Sequence, residues 1–242
     1  MSLGLTALVT GSTRGIGAAI ATALELRGVT VIGHGSRLQG MAEPEIIGAD
    51  FAEPSAPQAL WEEALVRSGG RIDILVNNAG LFSANPLDAS DIAWLDAWED
   101  TQRINLTSAA QLCRFAVRKW LEDRSGGRIV NIASRAAHRG DSPDHWHYAA
   151  AKAGMVAMTK TIARAYAARG VLAFAVCPGF TDTSMADDYL ATRGGPGLVA
   201  DIPLGRVATP DEIATIAAFC ALDAPPSMTG AVLDANGASY VR

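Results

Sequence analysis

Short apolar runs rich in β-branched residues alternate along the chain with stretches whose apolar residues recur at helical spacing. Such runs are typical of strands buried on both faces, and strands separated by helices pair in parallel. The pattern therefore predicts an α/β fold with a doubly wound, seven-stranded parallel sheet and helices on both faces. The predicted strands are LTALVT, VTVIG, EIIGA, IDILVN, RIVNI, VLAFAVC and AVLDA.

The chain is long enough for one sizeable core and shows no linker, internal repeat or low-complexity segment. A single domain over residues 1–242 is therefore expected. One helix start is well marked, where Thr209 is followed by Pro210 and then by Glu212. This order is typical of an N-cap, a first-turn proline and a capping box.

Composition and charge narrow the possible partners. Hydrophobic residues make up 49% and charged residues 19% of the chain, as in compact globular proteins. The net charge of -5 and the lack of Lys/Arg runs argue against nucleic acid and membranes as partners. With neither a signal segment nor an apolar span, a cytoplasmic protein is expected. We expect Cys113, Cys177 and Cys220 to be buried free thiols rather than disulfides or metal ligands.

The first predicted strand leads directly into a glycine turn, residues 10–17, and then into the helical pattern AAIATALELRG. In its G-x-x-x-G-x-G spacing, Gly11 permits a tight turn, Gly15 close approach of a phosphate, and Gly17 close packing of helix on strand. Because a helix N-terminus attracts negative charge, the turn predicts a site for the pyrophosphate of a dinucleotide. Its candidate residues are Gly11, Ser12, Thr13, Arg14, Gly15, Ile16 and Gly17.

A second group of reactive residue types lies in SRAAHRGDSPDHWHYAAAK, residues 134–152. Ser134 follows RIVNIA instead of standing in a G-x-S-x-G turn, which argues against a hydrolase. The histidines of this stretch lack the spacing of a zinc pair, which argues against a metal site. Tyr148 and Lys152 are four residues apart in a predicted helix and share a face. The Lys152 ammonium is expected to lower the pKa of Tyr148, whose phenol could then exchange a proton with a ligand.

Together these motifs resemble those of the short-chain dehydrogenases/reductases. The resemblance covers nearly the whole chain and also rests on NNAG at 77–80, INL at 104–106, RIVNIAS ending at Ser134, CPGFTDT at 177–183 and PLGRVATPDEIA from Pro203. It implies a Rossmann fold in which residues 1–130 mainly bind the cofactor and residues 131–242 hold the catalytic and substrate-binding groups. It also implies a homo-oligomer, either a tetramer or a dimer.

The resemblance further implies a reaction and the residues that perform it. Hydride would pass between the nicotinamide and a carbonyl carbon while Tyr148 exchanges a proton with the oxygen. Ser134 would hydrogen-bond that oxygen, Lys152 would hold the nicotinamide ribose, and Asn105 would support a proton-relaying water chain. Further implied cofactor contacts, besides Tyr148 and Lys152 themselves, are Asp50, Phe51, Asn77, Ala79, Gly80, Pro178, Gly179, Phe180, Thr181 and Thr183.

The end of the second strand bears on which nicotinamide cofactor is used. NAD-binding enzymes usually place an acid there, whereas VTVIGHGSR has none at that position, near Gly35. Ser36, Arg37 and Arg14 could instead hold a 2′-phosphate through charge-assisted hydrogen bonds. NADP(H) is therefore the preferred cofactor, with NAD(H) as the alternative.

The substrate stays open. Leu81, Phe82, residues 135–147 and a lid at about 182–202 are the segments expected to contact it. The favoured function is an NADP(H)-dependent oxidoreductase acting on a small carbonyl or secondary alcohol. The alternatives are an NAD(H)-dependent alcohol or polyol dehydrogenase of the same family and a catalytically silent nucleotide-binding protein.

Overall fold

All seven predicted strands form one parallel sheet, in the order β3-β2-β1-β4-β5-β6-β7. The computed structural model describes residues 4–36, 45–183 and 199–242. The strands are β1 Thr6–Val9, β2 Thr30–Gly35, β3 Ile46–Gly48, β4 Ile74–Asn77, β5 Gly127–Ile132, β6 Val171–Pro178 and β7 Val232–Ala235. The predicted doubly wound α/β fold is confirmed.

Helices follow most of the strands and cover both faces of the sheet. They are α1 Gly15–Leu26, α2 Ala56–Arg67, α3 Asp91–Gln102, α4 Ser108–Asp123, α5 Ala136–Arg139, α6 Trp146–Tyr166 and α7 Pro210–Ala218. A π-helical turn, Arg103–Thr107, joins α3 to α4. The capping box predicted at the start of α7 is present, with Thr209 and Glu212 each accepting a hydrogen bond from the other's backbone N–H.

The core consists of two apolar layers separated by the sheet. Because successive side chains of a strand point to opposite faces, Val9 packs toward α1 and α7 with Ile20 and Ile213, whereas Leu8 packs with Leu112 on the opposite face. These side chains are fully buried. Burial on both faces explains why the strands are continuous apolar runs.

The strand order reverses beside β1, which has β2 on one side and β4 on the other. Loops that leave the carboxyl ends of strands on either side of such a point diverge and open a crevice. The glycine turn follows β1 here, and the NNAG segment follows β4. The fold therefore brings the two predicted cofactor motifs together.

Most of the lid expected at about 182–202 lies outside the described residues, as does Arg37. The division of labour between residues 1–130 and 131–242 stays a prediction, since one sheet runs through both parts. Within the described ranges, none of the helices has the length and apolarity needed to cross a lipid bilayer.

Candidate active site

The glycine turn has no room for side chains at two of its positions. Gly11 has a φ of +65°, and a Cβ there would lie 2.9 Å from the Cα of Ala79. A Cβ on Gly17 would overlap the carbonyl oxygen of Gly11. Helix α1 starts at Gly15, so its first N–H groups face the crevice, where an anionic group would be stabilised.

Asn78 holds the turn from the side of β4. Its Nδ2 donates to the carbonyl oxygens of Thr10 and Gly11, both at 3.0 Å. The hydroxyl of Thr10 in turn accepts from the backbone N–H groups of Asn78 at 2.9 Å and Ala79 at 3.0 Å. The resemblance implied a role for Asn77 instead. Asn78 could have been identified from its position as the second asparagine of NNAG.

His34 holds the turn from the side of β2. Its Nδ1 accepts a hydrogen bond from the N–H of Gly11 at 3.1 Å, which places the ring proton on Nε2, facing the Ala49 carbonyl at 2.7 Å. The ring stacks on Phe51 with 4.4 Å between centroids. Burial lowers the pKa of His34 below 6.5. A neutral imidazole therefore fits this position.

The predicted phosphate-binding groups lie at the open end of the crevice. Arg14 and Ser36 are exposed and line the cavity. Within the described part of the chain, the Arg14 guanidinium has no hydrogen bond or ion pair, so it is available to an anion. Thr183 lies over the turn, since a Cβ on Gly15 would be 3.1 Å from its methyl carbon.

Three predicted catalytic side chains meet where β5 ends against the first turns of α6. The Nζ of Lys152 donates to the Ile132 carbonyl oxygen at 2.8 Å and lies 5.8 Å from the centre of the Tyr148 ring. The Ser134 hydroxyl is hydrogen-bonded with Tyr148 and accepts from the Ala136 N–H at 3.1 Å. Serine, phenol and ammonium therefore face one region of the cavity.

Burial, rather than the neighbouring lysine, dominates the titration of Tyr148. It raises the pKa of Tyr148 to about 12, against the opposing effect of the Ser134 hydrogen bond. Burial likewise lowers the pKa of Lys152 to about 8. The expectation that Lys152 lowers the pKa of Tyr148 is therefore wrong for this structure, because the cost of burying a phenolate exceeds the attraction of an ammonium group several ångströms away.

Asn105 lies in the π-helical turn and is fully buried. Its Nδ2 donates to the Leu81 carbonyl oxygen at 2.8 Å, and its Oδ1 accepts from the Leu81 N–H at 2.6 Å. A Cβ on Gly80 would lie 3.3 Å from the Asn105 Oδ1 and 3.6 Å from the Lys152 Nζ. Asn105 thus anchors the segment after NNAG next to Lys152, and its part in a water chain stays a prediction.

One cavity of about 970 Å³ joins the glycine turn to the Ser134–Tyr148–Lys152 group. This volume lies at the upper end of the range for small-molecule sites. The predicted residues that line it are Gly11, Thr13, Arg14, Gly15, Ile16, Gly17, Ser36, Asp50, Phe51, Ala79, Gly80, Ser134, Tyr148, Lys152, Pro178, Gly179, Phe180, Thr181 and Thr183. His34, Asn78, Ile104, Ile132 and Asp141 line it as well.

Two predicted cofactor residues face away from this cavity. The hydroxyl of Ser12 accepts from the backbone N–H of His34 at 3.0 Å, so it joins the turn to β2. The Nδ2 of Asn77 donates to Asn131 Oδ1 at 2.8 Å and to Cys113 Sγ at 3.2 Å, beneath the sheet. Asn77 ends β4, and strand alternation points its side chain into the apolar layer that contains Leu112 and Cys113. Both residues support the site without lining it.

Aromatic side chains line the end of the cavity beside Tyr148. Phe82 meets the Tyr148 ring edge-on at 4.8 Å and stacks on His145 at 4.1 Å. Across the opening, the Arg135 guanidinium lies 4.5 Å from the centre of the Phe180 ring. Phe82 and Arg135 lie in segments that were expected to contact the substrate.

Comparison with known proteins decides the family. Residues 11–237 match the model of a family described as enoyl-(acyl carrier protein) reductase. The chain belongs to the short-chain dehydrogenase/reductase family. As a member, it is an oxidoreductase that acts on a CH–OH or C=O group with a nicotinamide dinucleotide, as predicted.

The chain aligns over nearly its whole length with curated relatives. It is 36% identical over 250 residues to the 3-oxoacyl-(acyl-carrier-protein) reductase FabG of Salmonella typhimurium, with 98% of each chain covered. The FabG of Escherichia coli gives the same identity and coverage. The acetoacetyl-CoA reductase of Shinella zoogloeoides is 36% identical over 240 residues, covering 97% of this chain and 98% of the relative.

Proposed function

We propose that the protein is an NADP(H)-dependent reductase of a small carbonyl compound, with Tyr148 as the acid/base. The observation that carries this proposal is the convergence of Ser134, Tyr148 and Lys152 on a cavity that begins at the glycine turn. A hydrolase using Ser134 is not supported, because the hydroxyl is engaged with Tyr148 and the Ala136 N–H rather than with a histidine base.

The residues of the crevice fit an NADP(H) molecule. The glycine turn and the start of α1 at Gly15 line the cavity and suit a pyrophosphate, since the first N–H groups of a helix attract negative charge. Phe51 lines the cavity near Asp50 at the predicted adenine end. Arg14, whose guanidinium has no partner among the described residues, lines the cavity together with Ser36 and suits a 2′-phosphate, and neither residue offers the carboxylate that selects NAD(H).

In the proposed reaction, a bound nicotinamide supplies or accepts the hydride. The chain holds the substrate oxygen and controls one proton. In the reductive direction, Ser134 donates a hydrogen bond to the carbonyl oxygen and Tyr148 donates its proton to that oxygen. A pKa of about 12 keeps the Tyr148 phenol protonated at neutral pH, which is the form needed for this step. Lys152, whose Nζ faces the same region of the cavity, is proposed to hold the nicotinamide ribose.

The proposed substrate class follows from the relatives. The names of FabG, a 3-oxoacyl-(acyl-carrier-protein) reductase, and of acetoacetyl-CoA reductase both describe reduction of a 3-oxoacyl group, so this group is the first candidate. The net charge of -5 argues against strong docking of an acidic carrier protein, which would need a basic surface. A small or coenzyme A-linked substrate is therefore proposed. The homo-oligomeric state and the cytoplasmic location stay predictions.

Two titrations followed by a turnover assay test the proposal. NADPH and NADH would be titrated separately into the protein while nicotinamide fluorescence is recorded, and NADPH oxidation would then be followed with acetoacetyl-CoA. Tighter NADPH binding and turnover that is lost in Ser134→Ala would support the proposal. Tighter NADH binding would overturn the cofactor preference, and binding without turnover on any carbonyl compound tested would favour a silent nucleotide-binding protein.

A further inference from the structure

Three potential metal ligands from distant parts of the sequence meet beside the cavity. His138 comes from α5, Cys177 from β6 and Asp234 from β7. One ligand atom of each residue lies within 4.8 Å of the other two. We call these three residues the HCD cluster. They lie too far apart in the sequence for their spacing to have predicted a site.

Strand register explains why two of the three side chains are neighbours. In the parallel pair of β6 and β7, Cys177 is the partner of Asp234, so their side chains project from the same face of the sheet. Helix α5 follows Ser134 directly and places His138 above them. The Nε2 of His138 lies 3.7 Å from the Sγ of Cys177.

The thiol and the imidazole have nearly the spacing that a tetrahedral zinc ion requires. With Zn–S of about 2.3 Å and Zn–N of about 2.0 Å, two such ligand atoms are about 3.5 Å apart. The observed separation of 3.7 Å needs little adjustment. The carboxylate must move closer, and Asp234 is exposed enough to do so.

Zinc coordinates the thiolate form of cysteine and the neutral form of histidine, so a bound cation would displace the Cys177 thiol proton.

Arg242 is the competing group. Its Nε lies 2.9 Å from Asp234 Oδ2, and its Nη2 donates to the Val232 carbonyl oxygen at 2.8 Å. The side chains of this ion pair are 35% and 25% exposed, and partly exposed ion pairs contribute little free energy. Arg242 is exposed and lies outside the helices and strands, so its side chain can leave Asp234 without disturbing a packed element.

We propose that His138, Cys177 and Asp234 bind one divalent ion of the zinc class, with water as the fourth ligand. On binding, the Cys177 thiol proton is released to solvent, and the Asp234 carboxylate exchanges Arg242 for the metal. The soft thiolate and the imidazole favour zinc over magnesium or calcium, which prefer oxygen ligands.

The HCD cluster borders the proposed reaction centre. Backbone hydrogen bonds from Ala133 to Val176 and from Arg135 to Pro178 place Ser134 beside Cys177, and Ser134 is the residue proposed to hold the substrate oxygen. A metal at Cys177 is therefore expected to shift Ser134 and to slow turnover. This consequence, unlike the metal site itself, rests on the proposed function.

Cobalt(II), a spectroscopic substitute for zinc, tests the site without an activity assay. Tag-free protein would be titrated with Co²⁺ alone while thiolate-to-cobalt charge-transfer absorption is recorded, followed by displacement with Zn²⁺. One equivalent of bound metal with thiolate absorption is expected. Cys177→Ser should abolish the band, and Cys113→Ser and Cys220→Ser, which alter the other two buried thiols, should retain it.

Asp234 and its ion-pair partner Arg242 are both exposed, so substitutions at these two positions should not disturb the core. Asp234→Asn should weaken Zn²⁺ affinity by at least about 10-fold, since even outer-shell changes cost roughly 10- to 100-fold. Arg242→Gln should instead tighten it by roughly two- to fivefold, because the competing ion pair is removed. Absence of thiolate absorption, or its persistence in Cys177→Ser, would overturn the site, whatever the outcome of NADPH binding and turnover.

Discussion

Asn105 and Leu81 are joined by two reciprocal hydrogen bonds, side-chain amide to backbone carbonyl and backbone N–H to side-chain carbonyl, at 2.8 and 2.6 Å. Asn105→Ala leaves both backbone groups of Leu81, which are partly buried, without these partners. We expect the free energy of unfolding to fall by roughly 2–4 kcal/mol and turnover to fall with it, because the segment beside Lys152 loses its anchor. Urea unfolding and steady-state kinetics would measure the two effects.

Asn236 provides a matched control for that substitution. It is also buried and makes a similar reciprocal pair with the backbone of Tyr240, at 3.1 and 3.3 Å. Asn236→Ala should therefore lower stability while affecting turnover of the folded enzyme less than Asn105→Ala. Equal losses of turnover in the two variants would mean that Asn105 matters for stability alone.

Tyr148→Phe removes the hydroxyl that is proposed to donate the proton. We expect kcat to fall by roughly 10²- to 10⁴-fold, the range for a lost general acid, with NADPH affinity nearly unchanged. Stopped-flow or steady-state NADPH oxidation and fluorescence titration would measure these quantities. Tyr166→Phe, on the same helix but outside the cavity, is the control. Full activity in Tyr148→Phe would contradict the mechanism.

Arg14→Gln removes the guanidinium proposed to meet the 2′-phosphate. A hydrogen bond to a charged group contributes about 1.5–3 kcal/mol, so the Kd for NADPH should rise by roughly 10- to 100-fold. The Kd for NADH should hardly change, since that cofactor lacks the phosphate. Isothermal titration calorimetry with both cofactors would show the difference. A parallel loss of affinity for both would place Arg14 at the pyrophosphate or in the turn itself.

His34 gives a prediction for the pH dependence of stability. Its pKa is lowered from 6.5 in the folded protein, mainly by burial, so the unfolded chain binds a proton more readily. Stability from neutral His34 is therefore complete above about pH 6.5 and falls as the pH drops through and below that value. The hydrogen bond to the Ala49 carbonyl and the charge of Asp50 favour the protonated ring and oppose the shift without cancelling it.

His34→Gln tests the direction of this change in stability with pH. The wild-type protein should lose stability more steeply than the variant between about pH 7 and about pH 5, so the difference between them should shrink on acidification. Urea unfolding at several pH values would measure both curves. His138 and His147 also have lowered pKa values and contribute equally to both proteins. Parallel curves would show that His34 does not titrate as proposed.

Much of the site could be predicted because it rests on local features of the sequence. The glycine turn, the spacing of Tyr148 and Lys152 and the apolar strand runs each depend on a few neighbouring residues. The roles of Asn78 and His34 depend instead on which way a side chain points at the end of a strand and on what the adjacent strand presents. Nothing in NNAG alone distinguishes the inward Asn77 from the outward Asn78.

The pKa of Tyr148 shows a second limit. Sequence spacing placed an ammonium near the phenol, and the structure does bring Lys152 to that side of the ring. Spacing carries no information on how much apolar material surrounds both groups. Burial depends on the packing of α6 against the sheet, and here it shifts both pKa values in the direction that opposes ionisation.

The clamping of the glycine turn by Asn78 and His34 has a consequence for the thermodynamics of nucleotide binding. These two side chains fix the turn through the folding of β2 and β4, so the conformational entropy of that loop is lost when the chain folds rather than when a nucleotide arrives. Binding then needs no ordering of the phosphate loop. A mutation that destabilises a distant part of the core should lower the fraction of folded molecules and leave the intrinsic affinity of each folded molecule unchanged.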